Sequence, residues 1–186
     1  MELDYKVALR CAHLSNEVYR DFNDRLRFSM RPNVIPKFFD IGRTDTQVAL
    51  LEDPETQCGY IGFRGSDADR DWLTNLDFSR WSAVTDAVLD DKQLDYPDIY
   101  AASKSGVKMH SGFTKAYLAV RSEIHDVIRQ SEMTRWLVTG HSLGGALAKL
   151  CAVDLQYNFS PRISVETYTF GAPRVGNKAF TESYEV

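Results

Sequence analysis

Residues 135–150, RWLVTGHSLGGALAKL, constrain this chain more than any other stretch. RWLVTG is a short apolar run that stops at glycine, which reads as a buried strand. ALAKLCAVDLQYN reads as a helix. Only His141, Ser142, Leu143, Gly144 and Gly145 lie between them. A strand can turn into a helix this sharply only if the residues around the turn carry little bulk. Gly140 and Gly144 keep Cβ atoms away from the serine, and Gly145 lets the helix lie close to the sheet. The unit needs a sheet for its strand and a face for its helix, so it points to a layered α/β fold.

The rest of the chain is consistent with that. Leu3 to Tyr19 has helical periodicity, with apolar residues at Leu3, Val7, Ala8, Cys11, Leu14, Val18 and Tyr19. Residues 20–40, interrupted by Pro32 and Pro36, read mostly as loop. Val48–Leu51 and Gly59–Phe63 read as the strands of a hairpin with Pro54 in its turn. A short helix is expected over Asp69 to Leu73, and NLDFSRW after it has strand character. Ser111 to Gln130 is the clearest amphipathic helix: Phe113, Ala116, Tyr117, Val120, Ile124, Val127 and Ile128 share one face. ISVETYTFG reads as a strand, and NKAFTESYEV opens a helix behind an asparagine cap. Helices after the late strands predict a mostly parallel central sheet flanked by helices. The chain's 186 residues and 44% hydrophobic content fit one domain over 1–186.

A net charge of −4 gives no reason to expect nucleic acid as a partner. Cys11, Cys58 and Cys151 match neither a zinc spacing nor a disulfide framework, so buried reduced thiols are expected, with no metal and no cofactor. No run approaches the ~18 apolar residues of a membrane span. MELDYKVALR has no apolar region behind a basic one, so the expectation is no signal peptide and a cytoplasmic location.

GHSLG fits G-x-S-x-G, the strand–turn–helix in which a serine is presented as a nucleophile. The helix behind it offers free N–H groups and the positive end of its dipole, both favourable to a developing oxyanion. The N–H of Leu143 is the first candidate donor. The plain alternative is a glycine-rich helix start capped by Ser142.

VTGHSLGGALAKL resembles the corresponding turn of the class 3 lipases, the fungal-type branch of the α/β-hydrolase fold. GYIGFRGSDADRDWLTNLDF, KMHSGFTKAYLAV and YTFGAPRVGNKAF resemble other family segments in the family's order. The likeness runs over about residues 45–180. It implies a lipase or carboxylesterase acting on lipid acyl esters or smaller esters, with Ser142 as nucleophile. It implies backbone N–H groups of Leu143 and Ser66 as the oxyanion hole. Gly65 suits such a loop; the alternative is that Ser66 and Asp67 cap the helix at Asp69. Asp67–Leu76, with Trp72, Leu73 and Leu76, resembles a lid that meets a lipid surface, although a docked surface helix has the same spacing.

The mechanism also needs a histidine and an acid, in the order serine, acid, histidine. His13, His110, His125 and His141 all precede Ser142. His125 is expected to face away from its helix's apolar stripe, and His141 away from the serine. Asp154, Glu166, Glu182 and Glu185 follow, but none sits where a triad acid belongs. The resemblance places both missing groups beyond GAPRVGN. The expectation is therefore a C-terminally truncated domain, whose alternative function is that of a catalytically inactive binding module.

Overall fold

The computed structural model describes residues 4–20, 28–65, 81–82 and 109–182. Within them the chain runs α1 (Tyr5–Glu17), β1 (Lys37–Ile41), β2 (Thr46–Asp53), β3 (Cys58–Phe63), β4 (Trp81–Ser82) and β5 (Met109–His110). It continues with α2 (Ser111–Gln130), β6 (Arg135–His141), α3 (Leu143–Phe159), β7 (Ser164–Phe170) and α4 (Lys178–Glu182). The lid-like segment, Ser66 and the short helix expected at Asp69–Leu73 lie outside the described residues.

Five strands form one sheet in the order β1-β2-β3-β6-β7. β1, β2 and β3 are antiparallel neighbours, because short turns join them. β3, β6 and β7 run parallel, with α3 as the crossover between the last two. The sheet is thus mixed, and its parallel half surrounds β6.

Alternation along the strands builds two cores. Val48, Leu50, Ile61, Phe63, Trp136 and Val138 face α2 and α3. Ala49, Leu51, Cys58, Tyr60 and Leu137 face α1, which supplies Val7, Cys11 and Leu14. The layers are helix, sheet, helix. Asp4 starts α1 by accepting from the N–H groups of Lys6 and Val7 at 2.9 and 3.2 Å. Asn177 caps α4 through the Phe180 N–H at 3.1 Å, as the sequence predicts. Between α1 and β6, a buried pair of hydroxyls, Ser15 Oγ and Thr139 Oγ1, meets at 2.8 Å. The three cysteines are free and buried.

Two expectations change. Residues 37–41 are not loop but β1, with Lys37 opposite Leu50 and Ile41 opposite Thr46. Phe38 and Phe39 pack on opposite cores, so the segment is held by pairing with β2 rather than by local preference. His125 does not face solvent: it is 2% exposed, because α3 packs over that side of α2 and supplies a carboxylate.

Candidate active site

Ser142 sits between the last residue of β6 and the first of α3, with φ 53° and ψ −123°. A non-glycine residue with positive φ is strained by about 1–3 kcal/mol. Its surroundings hold it there. The Ser142 N–H donates to the Phe170 carbonyl at 3.0 Å, extending the β6–β7 ladder by one step. The Ser142 carbonyl accepts from Gly145 and Ala146 N–H groups at 3.0 and 3.2 Å, which starts α3. An ordinary capping serine turns its hydroxyl back onto the first helical turn. The Ser142 side chain makes no such bond.

The glycines are required by close approach. A Cβ on Gly140 would run into the backbone of Gly144, and a Cβ on Gly144 into the Phe63 carbonyl. Gly145 abuts Ala172, in the loop after β7, so its small size seats α3 against that loop. Gly140→Ala is expected to lower unfolding stability by about 3 kcal/mol, because backbone cannot rotate away as a side chain can. A urea titration checks it, and a loss under about 1 kcal/mol would contradict the tight crossing.

Leu143 opens α3, so its N–H belongs to the first turn, where no intrahelical acceptor exists. Gly65, the last described residue of the loop after β3, is buried next to the His141 carbonyl. The next residue in sequence is Ser66. The structure therefore brings the residue before one expected donor beside the residue before Ser142.

His125 and His141 have other partners. His125 Nε2 lies 2.7 Å from Asp154 Oδ2. That carboxylate also takes the Tyr117 hydroxyl, Arg121 Nε at 2.9 Å and Nη2 at 3.0 Å, and Asn158 Nδ2. Burial alone would raise the Asp154 pKa, but the His125 and Arg121 contacts outweigh it and hold the carboxyl below its ordinary value. Asp154 stands about 18 Å along α3 from Ser142 at 1.5 Å per residue, so this histidine–aspartate pair clamps α2 to α3 and cannot reach the serine. His141 is exposed, and its Nδ1 is 3.0 Å from the Tyr19 hydroxyl. His110 is buried and starts α2, its ring centroid 4.5 Å from that of Phe113. His13 is exposed on α1.

Residues 60–186 match the family model of the class 3 lipases. The chain belongs to the class 3 lipase family. A lipase of Rhizomucor miehei is 36% identical over 143 residues, covering 73% of this chain and 34% of that relative. A secreted mono- and diacylglycerol lipase of Malassezia restricta is 37% identical over 92 residues, covering 47% of this chain and 30% of that relative. Lipase II of Rhizopus niveus superposes with a TM-score of 0.77 at 26% identity, covering 97% of this chain and 66% of that structure. The chain thus spans about a third of the length of these curated relatives, and the fold is that of the α/β-hydrolases.

The comparison overturns the expected cytoplasmic location, since the relatives include secreted lipases. A leader is a separable segment that leaves no mark on a folded domain, so the domain's own residues do not fix its compartment. Buried thiols are inert, so the cysteines do not discriminate either. Among the described residues, no helix is long and apolar enough to cross a membrane.

Proposed function

We propose that this chain carries the nucleophile and oxyanion hole of a serine hydrolase that cleaves acyl esters of lipids. The backbone of Ser142 carries the reading. A serine held at positive φ on a glycine-bounded turn, with its hydroxyl unused by the helix it starts, is costly as a cap and useful as a nucleophile. Ser142 Oγ attacks the ester carbonyl as its proton passes to a general base, the histidine that the family resemblance calls for, and the resulting oxyanion accepts from the N–H groups of Leu143 and Ser66. Collapse returns that proton to the departing alkoxide, which leaves as the alcohol, and the acyl-serine is then hydrolysed by water activated by the same base. The lipase relatives support a lipid acyl ester as substrate. The apolar residues of Asp67–Leu76 would then meet the lipid surface.

A second reading, a lipid- or partner-binding protein without turnover, is favoured by one observation. Among the described residues, His125 and His141 are engaged by Asp154 and Tyr19 rather than by Ser142. A fluorophosphonate probe and p-nitrophenyl butyrate separate the two. Covalent label on Ser142 with release of p-nitrophenol is the expected result. A folded protein that takes no label would establish the silent reading.

A further inference from the structure

One side chain joins the end of α1 to both segments of the candidate site. Tyr19 lies two residues past α1. Its hydroxyl is 3.0 Å from His141 Nδ1 and 3.5 Å from the His141 carbonyl. Its ring is tilted against the imidazole, with centroids 5.9 Å apart. On the other side the same hydroxyl touches Gly65 so closely that a Cβ there would overlap it. Burial raises the Tyr19 phenol above 10, against the pull of the Arg64 charge and a hydrogen bond from the Gly65 N–H. The phenol is thus protonated at neutral pH. Its oxygen accepts from the Gly65 N–H, and it shares a hydrogen bond with His141 Nδ1.

His141 immediately precedes Ser142, and Gly65 immediately precedes Ser66. We propose that Tyr19 is a positioning residue for the hydrolysis proposed above: its hydroxyl fixes the spacing between the loop after β3 and the serine turn, so that donors from both converge on one oxyanion. The inference rests on the reading of Ser142 as nucleophile. The tie spans 122 positions. An oxyanion hole acts through preorganisation, and a misplacement of about 1 Å can cost up to about 100-fold in rate.

Tyr19→Phe removes the hydroxyl and keeps the ring. It is expected to lower kcat for p-nitrophenyl butyrate, and the rate of fluorophosphonate labelling, by about 10-fold, with KM changed less than about twofold. His141→Asn should give a similar loss. The double variant should fall no further than the larger single loss, because both break the same tie. A merely structural role would lower the folded fraction and leave kcat per labelled site unchanged. Equal labelling of Tyr19→Phe and wild type, with Ser142→Ala unlabelled, overturns the positioning role and leaves the Ser142 reading intact. Should wild type take no label, the Ser142 reading fails. Amide hydrogen exchange at Gly65 and Ser142 then decides the tie: faster exchange in Tyr19→Phe supports it, and unchanged exchange refutes it.

Discussion

Ser142→Ala is expected to abolish fluorophosphonate labelling and to lower ester hydrolysis by about 1,000-fold or more. The loss should fall on kcat. Alanine leaves the Leu143 N–H and the rest of the oxyanion site in place, so the substrate still binds and only the attacking atom is gone. Folding should not suffer. The Ser142 hydroxyl makes no cap bond to lose, while the backbone bonds to Phe170, Gly145 and Ala146 remain available. The strained φ is the term that could shift. A melting temperature equal to wild type or slightly higher is expected, and a large fall would mean that the hydroxyl supports the turn after all. Unchanged hydrolysis in the variant would transfer the weight to the silent binding reading.

Asp154→Ala is the second large effect, and it falls on stability. Asp154 is fully buried among Tyr117, Arg121, His125 and Asn158. Removing it leaves the Arg121 guanidinium and the His125 ring without their carboxylate in the interior. Breaking one side of a buried ion pair costs about 3–5 kcal/mol. That is a large share of a total stability of about 5–15 kcal/mol. Urea denaturation measures it, and a loss under about 1 kcal/mol would show that α2 and α3 are held by apolar contacts alone. The folded fraction should still label at Ser142 at the wild-type rate, because the cluster is remote from the turn. Reduced labelling of the folded variant would reopen the pair as part of the chemistry.

The same carboxylate sets an acid limit. Its folded pKa lies below the ordinary value of 3.8, so the folded state holds fewer protons there than the unfolded chain does. Its contribution is therefore complete above about pH 4–5 and fades as pH falls through the folded value. Thermal melts from pH 6 down to pH 3 should show a loss of stability in wild type that is smaller in Asp154→Asn. An equal acid sensitivity in both would place the effect on other carboxylates.

Much of this was legible in the sequence because the physics is local. The stripe from Phe113 to Ile128 marks α2, and the observed helix, Ser111–Gln130, has the limits read from that stripe. The hairpin around Pro54 pairs Val48 with Phe63, as two alternating strands require. β1 is not legible locally because Phe38 and Phe39 follow two prolines, and their strand exists only by pairing with β2. The burial of His125 is not legible either, because a helix seen alone has one buried face, whereas α2 packs on both the sheet and α3.

The sequence by itself determined the glycine-bounded turn and the layered α/β architecture, because bulk, periodicity and short-range order settle those within a few residues, and the family resemblance rested on motifs spread over about residues 45–180. Only the tertiary structure decided that Tyr19 lies on His141, 122 positions away, and that His125 serves Asp154 rather than Ser142. Those contacts depend on how whole helices land on the sheet. A polar side chain announces that it needs a partner, but the layer that arrives beside it chooses which.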